Sequence, residues 1–79
     1  NPISQGQSLT ISIDKPEEGY YTFILSALSG QLLKQEERWI DAEARVLSIQ
    51  PPALPAGTYI LTLVSKRSGK RVSEKVVVQ

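Results

Sequence analysis

The sequence contains no cysteine. Disulfides, thiolate metal ligands and a thiol nucleophile are therefore excluded. It contains no histidine either, which removes the usual general base near neutral pH and the commonest metal ligand. A Ser-His-Asp triad cannot be assembled. No apolar run approaches the ~20 residues that a membrane-crossing helix needs. Neither a G-x-x-x-x-G-K-[ST] nor a G-x-G-x-x-G pattern occurs, so a phosphate-cradling loop is absent. No signal peptide opens the chain. It begins Asn1-Pro2 rather than with Met, which gives the expectation of a fragment from a longer protein. Cofactors and catalysis are not expected.

The remaining chemical candidates are weak. Ser65 precedes Lys66 and Ser73 lies near Lys75, but adjacent strand positions face opposite ways, so a serine–lysine dyad is not expected. Glu17-Glu18 falls in a turn and Glu36-Glu37 straddles a pleat. Solvated carboxylates are the simpler reading of both than a glycosidase pair. Asp14, Glu17 and Glu18 supply oxygen ligands of the kind calcium takes, without the spacing of an EF-hand loop. Trp39 with Tyr20 or Tyr21 could line a sugar-binding face, although such rings more often fill a core or shield an edge.

What is present is a sheet-forming pattern. The chain has 79 residues, 41% of them apolar, which fits one small globular unit, residues 1–79. A chain of this size buries only about 60–65% of its unfolded surface. "SLTISI" (8–13) alternates strictly between polar and apolar residues, the mark of a half-buried strand. "DKPEEG" then makes a turn around Pro16 and Gly19. "YYTFILSA" (20–27) is apolar on both faces, as a central strand is, and Gly30 in "LSGQ" meets the turn requirement for positive φ. "QLLKQEERWI" (31–40) puts Lys34, Glu36 and Arg38 on one face, read as solvated, with Leu33 and Trp39 on the other. "DAEA" is a loop or one helical turn. "RVLSI" (45–49) is a short strand with Val46 and Leu47 facing opposite ways.

The three prolines of "QPPALPAG" forbid a regular ladder. "TYILTLVS" (58–65) is the cleanest strand, with Tyr59, Leu61 and Leu63 inward and Thr62 outward. "KRSG" turns the chain at Gly69. "KRVSEKVVV" (70–78) closes it, with Val72, Val76 and Val78 opposite Arg71, Ser73 and Lys75. Six or seven strands at about ten-residue spacing predict an all-β, immunoglobulin-like antiparallel β-sandwich. A small barrel is the alternative.

Charge is unevenly distributed. Residues 1–65 carry a net −3. Residues 66–79 carry +4, from Lys66, Arg67, Lys70, Arg71 and Lys75 against Glu74 alone. Such a patch suits an acidic partner, or serves only to block edge pairing. Nucleic acid is not the expected partner, because residues 66–79 hold no aromatic side chain to stack on bases.

The order of these features resembles a known family. "NPIS", the alternating "LTISI", "LSGQLLKQ", "LPAGTYILTLVS" and the closing "GKRVSEKVVVQ" together resemble the C-terminal sorting domain of type IX secretion cargo of Bacteroidetes. That family typically shows an Asn-Pro start, a D-x-x-G-[KR]-x-[VL]-like turn, an L-x-x-G-x-Y lead-in and a Lys-rich last strand that ends the protein. Two stretches depart from it: Ser26 and Ala27 stand where an aromatic-Asp pair is usual, and prolines precede "LPAG".

The resemblance implies a non-catalytic secretion signal. The outer-membrane translocon and its shuttle proteins would recognise it, and a surface sortase would remove it by cleavage upstream of Asn1. Its location would be the periplasm in transit, then the outer-membrane surface or the medium, with no membrane insertion. The residues expected to meet these partners are Gly57, Tyr59, Lys66, Arg67, Gly69, Lys70, Arg71, Lys75, Val76, Val77, Val78 and Gln79. Exposed edges would also permit an edge-strand homodimer. The alternative function is a generic immunoglobulin-like adhesion, spacer or carbohydrate-binding module of an extracellular enzyme.

Overall fold

The computed structural model describes residues 2–4, 6–13 and 16–79. The first two residues of the expected "DKPEEG" turn, and Asp14 as an oxygen ligand, lie outside them. The described chain is all-β, with strands β1 (Pro2–Ile3), β2 (Leu9–Ser12), β3 (Gly19–Ala27), β4 (Leu32–Ile40), β5 (Val46–Ile49), β6 (Gly57–Ser65) and β7 (Arg71–Val78). "DAEA" resolves as a turn closed by the Ala44 amide donating to the Asp41 carbonyl at 3.1 Å.

Two sheets form: a five-stranded one in the order β1-β7-β6-β3-β4, and a two-stranded one of β2 and β5. Every pairing is antiparallel except that of β1 with β7, which runs parallel and sets Pro2 against Val77 and Ile3 against Val78. β1 is the seventh strand that the sequence pattern leaves open. Two residues carry no readable alternation, and proline is tolerated there because an edge strand can spare a donor.

The core follows from period-two alternation. On β6, Tyr59, Leu61, Leu63 and Ser65 are buried, while Thr58, Ile60, Thr62 and Val64 are half-buried on the outer face. Phe23 and Leu25 of β3, Val76 and Val78 of β7, and Ile40 of β4 add to the same inner face. Leu9, Ile11 and Ile49 close over it from the second sheet. Tyr59 is buried with its polar end satisfied: its hydroxyl donates to the Pro55 carbonyl at 2.6 Å.

The face assigned to β4 from sequence is reversed. Lys34, Glu36 and Arg38 share their side of the sheet with Ile40, which is 1% exposed, whereas Trp39 points outward and is 52% exposed. Two causes are visible. A bulge between Leu25 and Ser26 leaves Leu33 without an opposite residue, and this extra residue breaks the alternation so that Leu33 also packs on the core. The long cationic side chains then lay their stems along apolar surface and carry their charges to the rim. Lys34 Nζ donates to the Gln50 carbonyl at 2.6 Å, and Arg38 Nη1 to the Ser48 carbonyl at 2.7 Å. Glu36 sits between them, 3.4 Å from Lys34 Nζ and 2.5 Å from Arg38 Nε. Three charges thus clasp β4 to the open side of β5.

Ile40→Ala should cost about 2–5 kcal/mol in urea unfolding. Val72→Ala, at a position 64% exposed, should cost about 0.5 kcal/mol or less. Equal costs would contradict the coverage described. The hydrogen bond from Arg38, together with the charges of Arg38 and Lys34, holds the Glu36 carboxyl below its ordinary 4.5 despite partial burial. A lowered folded-state value contributes stability that is complete above 4.5 and is lost as pH falls through the folded value. Glu36→Gln should therefore flatten the acid limb of the stability curve below pH 4.5 and leave its pH dependence between 6 and 8 unchanged.

Candidate functional site

The β6–β7 hairpin gathers most of the residues singled out from sequence. Its turn is tightly bonded: the Ser65 amide donates to the Lys70 carbonyl at 2.8 Å, and the Gly69 amide to the Ser65 carbonyl at 2.8 Å. The Ser65 hydroxyl accepts from the Ser68 amide at 3.2 Å. Gly69 holds φ +78°, a left-handed conformation that disfavours a β-carbon. The turn is therefore a fixed platform for the cations around it.

Those cations divide into two groups. Lys66 pairs with Glu37 of β4, and its amide donates to the Tyr20 carbonyl at 2.9 Å. Arg67 lies 4.0 Å from Glu17 and donates to the Glu18 carbonyl at 3.5 Å. Both tie the hairpin to the start of β3 and to the neighbouring sheet edge. Among the described residues, Lys70, Arg71 and Lys75 form no ion pair. Arg71 and Lys75 stand with Ser73 on the outer face of β7, opposite Val64, Ile60 and Thr62 of β6.

The other named positions have structural placements. Gly57 opens β6 opposite Val78, and Tyr59 opposite Val76. Val76 and Val78 are core residues, 5% and 4% exposed, and Val77 carries the pairing with Pro2. Val76 and Val78 hold the strand on the core, while Val77 is half-buried. Gln79 follows the strand and is exposed. The β7 edge is covered by β1 at Val77 and Val78, so among the described residues only Arg71–Val76 of it remains open.

One feature escapes the sequence pattern. Val72 and Glu74 share the inner side of β7 with Val76, since their partners on β6 are the inward Leu63 and Leu61. The two-stranded sheet stops short of them, and Val72 is left exposed. A groove of about 360 Å³ lies there, floored by Leu61 and Leu63 and flanked by Ile11, Ile13 and Val72. A smaller space of about 140 Å³ continues it between Ser8–Ile11 and Glu74–Val76. Alternation identifies Val72 as inward, but the size of the second sheet, which decides whether it is covered, is not written in any local pattern.

The aromatic candidates also separate. Tyr20 and Trp39 are cross-strand partners on the outer face, with ring centres 5.2 Å apart at 79°. Tyr21 turns inward, and its hydroxyl donates to the Glu17 carbonyl at 2.7 Å. Among the described residues no group of three or more acidic side chains is placed to hold a metal ion, and no helix is long and apolar enough to cross a membrane. Comparison with protein-family models, curated proteins and solved structures gives no match to this chain.

Proposed function

We propose that this chain is a non-catalytic sorting module of the type IX secretion cargo kind, built as an immunoglobulin-like sandwich and read by a translocon at the outer membrane. The observation that carries the reading is the hydrogen-bonded β6–β7 hairpin with Lys70, Arg71 and Lys75 left without intramolecular ion pairs among the described residues. Their neighbours Lys66 and Arg67 are engaged. Cations held on β7 and at its start, without ion-pair partners among the described residues, suit recognition of an acidic surface, because rim charges steer association. On this reading the partners are the translocon, its shuttle proteins and a surface sortase. The route runs from the periplasm to the cell surface or the medium.

Two observations favour the immunoglobulin-like form. The order β7-β6-β3-β4 opposite β2-β5 corresponds to the G-F-C-C′ strands facing the B-E pair of such folds. The bond from Tyr59, near the start of β6, back to the Pro55 carbonyl has the form of the tyrosine corner at the same place in those folds. The alternative, an extracellular carbohydrate-binding module, has the exposed Tyr20–Trp39 pair in its favour. Those rings stand nearly perpendicular, however, and offer no shared flat platform for a sugar ring.

The test fuses this chain to a periplasmic reporter in a host that has the type IX system. The reporter should reach the cell surface with the chain and stay periplasmic without it. Reversing Arg71 and Lys75 to Glu, both at exposed positions, should reduce delivery roughly tenfold, the equivalent of about 1.4 kcal/mol of recognition, while circular dichroism remains unchanged. Deleting residues 75–79 is a poorer test, since it strips Val76 and Val78 from the core. Delivery that is equal with and without the chain would end the sorting reading. Delivery that ignores the charge reversal would end its electrostatic part.

A further inference from the structure

We propose that the trough between β2 and the first half of β7 is a docking site for an extended segment of a partner protein. The segment adds as a strand beside β2 and sets an acidic, an apolar and a basic side chain, two residues apart, over Lys70, Val72 and Glu74. The inference stands apart from the sorting reading, because a trough can accept a strand whatever route the protein takes.

Three observations carry it. First, β2 pairs only with β5, so its other edge has no strand among the described residues, and an unpaired edge is a template for strand addition. Second, the space beside that edge has an apolar floor of Leu61 and Leu63, flanked by Val72 on one side and by Ile11 and Ile13 on the other. Ile11 and Glu74 also line its continuation, so the trough runs along the strand direction, as a strand would. Third, the charges at its mouth are ordered among the described residues. Lys70 lies opposite Ser65, closing the hairpin register on the inner side, and both Lys70 and Glu74 line the groove. They flank Val72 at two residues either way and stand ~13 Å apart along an extended chain. Glu17, at the Lys70 end, is already engaged by Arg67 and by the Ser65 hydroxyl. Alternate side chains of an added strand have this same two-residue repeat.

A second copy of the chain does not match. Seating its β7 beside β2, with the two large sheets pointing away from each other, requires a twofold axis along the strands. That axis sets Lys70 against Lys70 and Glu74 against Glu74. The antiparallel arrangement that would pair opposite charges stacks the two large sheets ~10 Å apart, in the layer that β2 and β5 already occupy.

The test is an NMR titration of the 79-residue chain with three capped heptapeptides: Thr-Glu-Thr-Ile-Thr-Lys-Thr, its variant with Glu at both charged positions, and its variant with Lys at both. The mixed sequence pairs both charges in one strand direction only, so its reverse, Thr-Lys-Thr-Ile-Thr-Glu-Thr, is titrated beside it to cover the other direction, and the tighter of these two is taken as the mixed peptide. It should bind roughly fivefold more tightly than the other two at low salt, as expected for two partly exposed pairs. Amide shifts should concentrate at residues 9–13 and 70–74. Glu74→Lys should transfer the preference to the Glu/Glu peptide, and Lys70→Glu to the Lys/Lys peptide. Both substitutions are at exposed positions, and amide spectra would verify their folds. Three peptides of equal affinity, shifts elsewhere on the sandwich, or a preference that survives both substitutions would each overturn the proposal. Concentration-dependent shifts of the same amides without peptide would also overturn it, by making a second copy the occupant.

Discussion

The inward alternation of Tyr59, Leu61, Leu63 and Ser65 along β6 is the constraint on which the remaining structure depends. β6 pairs with β3 on one side and β7 on the other, so its register fixes which face of three strands is apolar. A slip of one residue would turn Leu61 and Leu63 outward and bring Thr62 and Val64 into the core. The hydroxyl of Tyr59, bonded to Pro55, anchors the strand at its start, and the Ser65 hydroxyl organises the turn at its end. With no disulfide available, these local anchors and the sheet pairings hold the fold together.

The second constraint is a mismatch of size. Two short strands face a sheet of five, and β2 and β5 cannot cover it. On the β4 side the uncovered margin is closed by charge: Lys34 and Arg38 reach the Gln50 and Ser48 carbonyls with Glu36 between them. On the β7 side no comparable clasp exists among the described residues, and Val72 stays exposed above the floor of Leu61 and Leu63. The same shortage of covering strand therefore has opposite outcomes at the two margins. One is sealed by long side chains that satisfy an open strand edge, and the other is left as a trough.

This mismatch also explains what could be read from the sequence. The all-β class, the six longer strands, the turn at Gly69 and the inward set on β6 were legible, because each rests on alternation or turn chemistry within ten residues. The orientation of β4 was not. Its alternation of Lys34, Glu36 and Arg38 was plain, but the inference that charges face water fails when their heads reach carbonyls on the other sheet and their stems lie on the core. The bulge at Leu33 compounded the error by shifting the parity. β1 was missed because two residues have no period. Within the candidate site, the basic cluster was legible as composition. Its division into engaged and unengaged cations was not, since Glu37 and Glu17 approach Lys66 and Arg67 only through pairings nearly thirty and fifty residues apart in sequence.

That division narrows where recognition can reside. Lys66 and Arg67 are held by carboxylates of the chain itself, and moving them toward a partner would leave Glu37 and Glu17 without their counter-charges. Val76, Val77 and Val78 are committed to the core and to β1. What remains on the hairpin is Arg71 and Lys75 on the outer face of β7, and Lys70, Val72 and Glu74 on its inner margin. One strand thus presents two different surfaces. The outer row carries charge of a single sign, which favours attraction at a distance but fixes no register. The inner row alternates basic, apolar and acidic at a fixed spacing, the pattern that the proposed strand docking requires. Both rows run along one edge of the β6–β7 hairpin, whose pairing with β6 and bonded turn keep them in a constant relation.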